Sequence, residues 1–318
     1  MIRTVANFWR EERGAVLVLV AAAMVVLLGF TALVTDFGLM YLNKSRLANA
    51  IDAGVLAGVQ ELPNDPSAAE AVAQQYAQAN GAKEGEVSFS VSADRRQITG
   101  TGTRAVNLFF AQALGIYQGN VAARAAARLG PLSSVDRGVV PFSVEKPVEG
   151  TWFTYGEQVT LKVGHGERGW FQCLRLPGNS GANDLRRDIK YGYQGTLKVG
   201  DIVSQEPGNM SGPVNDGVEY RMNQCPHTPR CTYQPGVTNP KDGYHPDCPR
   251  VVIVPVVEVY SEHDKTVKIV GFASFLLEGS GGNGSNNYVT GRFVTAEGLG
   301  GIDDSLSDYG AYGVKLSE

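Results

Sequence analysis

Between Gly14 and Thr35 the chain carries no charged residue, before Pro63 it has no proline, and before Cys173 it has no cysteine. Each absence excludes something. As a helix, the uncharged run would span roughly 33 Å, enough for a bilayer core. Helices buried in soluble proteins are rarely this long and apolar on every face. Without proline, one helix is free to continue from about Gly14 to Gln60. No small-x-small cleavage site follows the run in good context, so it reads as a retained anchor and not as a removed secretory signal. There is also no basic excess: 28 Lys and Arg face 32 Asp and Glu, a net charge of -4, which argues against a nucleic-acid partner. The four histidines have no HExxH spacing, and no internal repeat is visible.

The 318 residues leave room for two modest bodies beyond an anchor. Alanine dominates 48–82 and 105–127, whereas glycine, proline and asparagine dominate the second half. Arg3, Arg10 and Arg13 precede the uncharged run and Lys44 and Arg46 follow it, a bias toward a cytoplasmic N-terminus. Ala50, Gly54 and Gly58 recur at four-residue spacing. Glycine within a helix costs about 1 kcal/mol against alanine, so close approach of another backbone is the expected reason. Either a partner helix or the protein's own sheet would supply that backbone.

The stretch Arg13-Gly14-Ala15-Val16, the apolar run, then Asp36-Phe37-Gly38, Tyr41, Arg46-Leu47-Ala48-Asn49-Ala50 and Asp52-Ala53 resembles the N-terminal Tad segment of TadG-like Flp pilus-assembly proteins. The resemblance covers about residues 10–62 and combines anchor, small-residue helix and fixed polar positions. It implies a bacterial, membrane-anchored component of the tight-adherence pilus apparatus with its body outside the cytoplasm. Relatives processed as pilins carry a Glu five residues after the cleavage-site Gly; Leu19 stands there after Gly14, which implies an anchor that is kept.

Asp65-Pro66 reads as the start of a second helix, with Ala69, Val72, Ala73, Tyr76 and Ala79 on one face and Gly81 at its end. Val87, Phe89 and Val91 alternate with serines, a half-buried strand, with a return strand at Gln97–Ala105. Val106–Leu114 reads as a short helix, Val121–Leu129 as another strand, and 130–134 (GPLSS) as a linker. Beyond it, strands are predicted at Gly138–Val144, Gln158–Val163, Trp170–Leu176, Thr196–Val203, Val251–Tyr260, Thr266–Leu277 and Tyr288–Thr295, with helices at Asn183–Lys190 and Pro213–Asn223. Pro255 argues for an edge or bulged strand.

The densest cluster of reactive residues is Cys225, His227, Cys231, His245 and Cys248. Cysteine and histidine suit zinc, but the spacings lack a C-x(2–4)-C pair and the loop is rich in proline. Outside the cytoplasm, Cys173, Cys225, Cys231 and Cys248 are expected to form disulfides, with three pairings open. Gly279-Ser-Gly281-Gly-Asn-Gly284 fits GxGxxG but precedes a strand-like NNYVTGRFV, so it reads as a hairpin loop and not a dinucleotide site. A Cys173–His165 nucleophile has no supporting context. Asp303, Asp304 and Asp308 lack calcium-loop spacing and read as a solvated turn. Trp152 and Trp170 read as core or surface aromatics.

The resulting expectation is an α+β protein. Residues 1–13 form a cytoplasmic segment, 14–35 the transmembrane anchor, 36–129 a Tad-like helical and pilin-like α+β unit, and 135–318 a β-rich extracytoplasmic domain. Function is expected to be non-enzymatic, without cofactor or metal, in pilus assembly or surface attachment. The expected partners are the lipid bilayer, other Tad pilus or membrane-platform proteins, and a cell-wall or surface ligand. The competing readings are an anchored extracytoplasmic enzyme using the 225–248 cluster, and a stand-alone adhesin.

Overall fold

The computed structural model describes residues 12–62, 65–148, 153–162, 173–208, 210–234 and 243–317. Arg3, Arg10, Trp152, His165 and Trp170 lie outside the described residues.

One uninterrupted helix, α1 (Glu12–Val59), opens the fold. Its two halves differ in what they touch. From Val16 to Thr35 nearly every side chain is exposed. After that, Leu47, Ala50, Ile51, Gly54, Val55, Gly58 and Val59 are buried, a stripe at the 3.6-residue period. Helix α2 (Pro66–Ala79) starts where Asp65 Oδ1 accepts the N–H of Ala68 at 2.9 Å. It buries Ala69, Ala73 and Ala77 against α1.

Strands β1 (Val87–Val91), β2 (Gln97–Asn107) and β3 (Gln118–Pro131) form an antiparallel meander. Ile98, Ala125, Ala127 and Leu129 turn toward α1 and α2 and close the first core. Two expectations change here. Val106 and Asn107 pair with Gly119 and Gln118 and so extend β2, leaving only a 3₁₀ turn at Ala111–Leu114 where a helix was expected. Gly130 and Pro131 end β3, and Leu132 is buried, so the GPLSS segment is a packed part of the body and not a free linker.

The second half is β-rich. After the short β4 (Ser134–Val135) come β5 (Val144–Glu145), β6 (Gln158–Lys162), β7 (Leu174–Arg175), β8 (Leu197–Lys198) and β9 (Ile202–Gln205). Helix α3 (Gly181–Tyr191) precedes β8, and α4 (Ser211–Asn223) follows β9. The long strands are β10 (Val251–Ser261), β11 (Thr266–Gly281) and β12 (Tyr288–Val294). The main sheet runs β5-β10-β11-β12-β6, with β9 on the start of β11 and β7 on β9; β4 pairs with β8. The strand expected over 196–203 is split in two at Gly200, whose φ of +100° makes a turn that an L side chain would strain. The strand expected over 138–144 is mostly a buried extended segment, bridged at Val139 and Phe142.

β11 organises this half. Ala273, Phe275 and Leu277 face a core with Leu185, Ile189, Val214 and Val218 of α3 and α4. Leu276, on the alternate face, packs with Cys231, Tyr244 and Cys248. A bulge follows Pro255 in β10, and β5 covers that strand's other edge only at Val256 and Val257. The last strands, β13 (Ala296–Glu297) and β14 (Ala311–Ser317), leave this sheet, and β14 pairs antiparallel with β3. The first sheet therefore reads β1-β2-β3-β14-β13, so the end of the chain completes the sheet that its beginning started. The architecture is α+β, with the long apolar helix leading into helix-and-strand packing and a β-rich second half.

Candidate functional site

Three places bear on function: the exposed half of α1, the junction where α1 meets the body, and the cysteine loop.

The exposed half is continuous and apolar. Leu17, Leu19, Val25, Leu28 and Leu33 are each about two-thirds exposed or more, and nothing in the body covers them. One such helix is long and apolar enough to cross a bilayer.

The junction begins one residue later. Asp36 is buried although it stands directly after the uncharged run. Its Oδ1 accepts the N–H of Phe109 at 2.8 Å, its Oδ2 accepts that of Ala111 at 2.7 Å, and both accept from Phe110. A carboxylate taking three successive backbone donors fixes the 109–111 loop against the helix. Around this clamp Phe37, Tyr41, Phe109, Phe110, Leu114, Ile116 and Tyr117 are exposed. Asp36 belongs to the sequence pattern quoted above, but its loop partners, over seventy residues away, have no local sequence signal.

Beyond the junction, the structure places Ala50, Gly54 and Gly58 inside the body. A Cβ on Gly54 would come within 2.8 Å of the Ala73 carbonyl oxygen and 2.6 Å of the Phe89 ring; one on Gly58 would lie 2.6 Å from the Ala69 carbonyl oxygen. The backbone they approach is that of α2, and the strand side is equally tight, since a Cβ on Gly100 would meet Ile51 at 2.6 Å.

The four cysteines are free thiols, and no pair stands at disulfide distance. The expectation of disulfides is therefore corrected. Cys173 sits alone in the core with Phe142 and Phe275, where burial first and the nearby Glu206 second push its thiol up to about 12. The other three converge with a histidine. One ligand atom each from Cys225, His227, Cys231 and Cys248 lies within 4.8 Å of all the others. His227 Nδ1 stands 3.2 Å from Cys231 Sγ and 3.9 Å from Cys225 Sγ. Its Nε2 looks the other way, 3.9 Å from an oxygen of Asp247, and its ring stacks on His245 with centroids 3.8 Å apart. Burial acts to raise the Cys225 thiol, but backbone N–H groups of Cys231 and His227, with the Cys248 and His227 side chains, outweigh it and hold the group at about 6. Burial pushes Cys248 up to about 12. The sequence shows these residues as a cluster but not their convergence, because the spacings that disfavoured metal binding say nothing about where the chain folds back. The available signal was three cysteines and two histidines between 225 and 248.

The remaining motifs take structural places. The expected hairpin loop is shorter than the motif: Gly279, Ser280 and Gly281 end β11, paired with Thr290, Val289 and Tyr288, and the remaining residues to Gly284 turn toward β12 with no following α-helix. Asp303 accepts from Ser305, Asp304 faces Arg128, and Asp308 pairs with Arg96 and accepts from Tyr312 Oη at 2.8 Å. Asp304 and Asp308 tie the final loop to the first sheet, Asp303 bonds within the loop, and the three do not converge.

No curated protein and no solved structure matches the chain. Residues 14–61, which comprise the exposed apolar run, the Asp36 clamp and the glycine-bearing stripe of α1, match the family model Tad, described as Flp pilus-assembly TadE/G-like.

Proposed function

We propose that the protein is a membrane-anchored, non-enzymatic component of a Tad/Flp-type pilus-assembly or surface-attachment system. The observation that carries this reading is the match over residues 14–61, together with a helix that is bare and apolar up to Thr35, clamped to the body at Asp36 and packed into its core from Leu47. In this arrangement residues 1–13 remain in the cytoplasm, 14–35 cross the bilayer, and the body from residue 36 stands outside. The first sheet, with α1 and α2 on it, sits nearest the membrane; the β-rich half carries the surface for other pilus or platform proteins or a cell-wall ligand. The N-terminal arginines support this orientation. Function rests on the family match, because an α+β body of this kind is compatible with many roles.

Fractionation tests the reading. The protein is expected to stay in the membrane pellet after alkaline carbonate washing and to lose its body to protease added outside spheroplasts. Cells lacking the gene should retain growth but fail to assemble or anchor Flp-type filaments. A body protected until the membrane is lysed would reverse the topology, and normal piliation in the deletion strain would sink the pilus role.

A further inference from the structure

We infer that Cys225, His227, Cys231 and Cys248 form a closed, four-ligand site for a soft divalent metal, with zinc the ion that the donor set fits. The site is separate from the anchor and from the proposed role in pilus assembly.

Distance favours a metal over a disulfide. A disulfide needs its sulfurs about 2.05 Å apart. Tetrahedral zinc, with bonds of about 2.3 Å to sulfur and about 2.0 Å to nitrogen, sets its ligand atoms roughly 3.3–3.8 Å from one another. The four ligand atoms converge within 4.8 Å, and His227 Nδ1 lies 3.2 and 3.9 Å from two of the sulfurs. Three thiols and one imidazole match the Cys₃His set of structural zinc sites.

The surroundings are arranged for sulfur that carries negative charge. Cys231 Sγ accepts the backbone N–H of His245 at 3.4 Å. The Arg250 side chain is itself buried, donating to the carbonyls of Cys231 and Leu277, and places a cation beside the cluster. His227 directs Nδ1 at the sulfurs and Nε2 away from them, toward Asp247 at 3.9 Å.

The position in the fold explains what such a site does. Cys225, His227 and Cys231 leave the end of α4, and Cys248 enters β10 through the bond from Val251 N–H to its carbonyl at 2.8 Å. Among the described residues, a small apolar cluster with Tyr244 and Leu276 packs beneath this loop. A metal joining its two ends would hold the loop on the sheet face opposite α3 and α4. Four protein ligands leave no open coordination position, and Cys231 and Cys248 are almost wholly buried, so the site is structural and not hydrolytic. Binding displaces the remaining thiol protons to solvent and involves no oxidant.

The experiment uses the full chain, purified in detergent from native membranes without reductant or chelator. Elemental analysis is expected to find about one zinc per chain. Cys231→Ser and His227→Ala should each lower metal content roughly tenfold or more. Cys173→Ser, altered in a separate core, should keep it. Metal-free protein given cobalt(II) alone should show thiolate-to-cobalt charge transfer and the intense ligand-field bands of a tetrahedral site. If the variants do not fold, zinc content and the cobalt spectrum of the unaltered chain decide. A native protein with no metal and a bond between two of Cys225, Cys231 and Cys248, or with three alkylatable thiols that bind no cobalt, overturns the inference.

Discussion

Asp36 Oδ2 accepts the backbone N–H of Ala111 at 2.7 Å, linking the first residue past the uncharged run to a loop far along the chain. This contact sets the level at which α1 stops being bare. Below it the helix is exposed; above it the helix runs beside the body and enters the core from Leu47. Because it follows the uncharged run and also holds a loop, Asp36 couples α1 to the body at that point.

Replacing Asp36 with Ala should therefore loosen the loop before it unfolds the body. Amide exchange at Phe109, Phe110 and Ala111 is expected to speed up roughly tenfold or more, while the amides of β2 and β3 keep their protection. Asp36→Asn, which retains one acceptor oxygen, should fall between. Unchanged exchange at the three amides would remove Asp36 from this role.

The same loop presents Phe109, Leu114 and Ile116 outward beside Phe37 and Tyr41 of the helix. In the proposed arrangement these side chains stand at the lipid–water interface, where aromatic residues are enriched. With tryptophan placed at Leu114, which is 83% exposed, brominated lipids should quench the added fluorescence. Tryptophan at Ala93, in the turn at the other end of the β2 hairpin, stands about 35 Å further along the α1 axis. It should be unaffected, and equal quenching at both sites would refute this orientation of the body.

How much of this was legible in sequence depends on how local each cause is. The α1 stripe at Leu47, Ala50, Ile51, Gly54 and Val55 repeats within one helix, so periodicity shows it. The β1 alternation of Val87, Phe89 and Val91 is legible for the same reason. β14 was missed although Tyr312, Val314 and Leu316 alternate, because short strands are recognised by their partner, and β3 lies far back in the chain. Val106 and Asn107 looked helical alongside their neighbours; pairing with Gly119 and Gln118 overrode that local preference. The cysteine grouping depends on a loop folding back on itself, a path no spacing rule encodes.

Gly54 offers a test of what the small-residue stripe serves. A side chain there would collide with the Ala73 carbonyl oxygen, which belongs to a helix backbone and has little room to yield. Gly54→Leu is expected to destabilise the body by about 1–3 kcal/mol or more through overpacking. Thermal unfolding of the detergent-solubilised chain would read this. If stability held and only association with other membrane proteins fell, the stripe would belong to a partner helix instead.

The Glu86–Arg104 pair should make the first sheet acid-sensitive. Arg104 is buried and bonds Glu86 through Nη2 at 2.7 Å and Nε at 3.1 Å, while also donating to the Gly81 carbonyl at 2.7 Å. The Arg104 hydrogen bonds outweigh burial and hold the Glu86 carboxyl below its ordinary 4.5. Protonation is therefore harder in the folded chain than in the unfolded one. The pair's full contribution is present above the unfolded value near 4.5, shrinks as pH falls toward the lower folded value, and is lost beneath it. Unfolding temperature should fall with acid more steeply in the unaltered protein than in Glu86→Gln, which has no carboxylate to titrate. Arg104→Ala should cost about 3–5 kcal/mol at neutral pH, because it leaves the half-enclosed carboxylate unpaired. Lowering the pH should recover part of that loss by neutralising Glu86. An Arg104→Ala variant whose deficit is the same at every pH would mean that the pair acts through packing and not through charge.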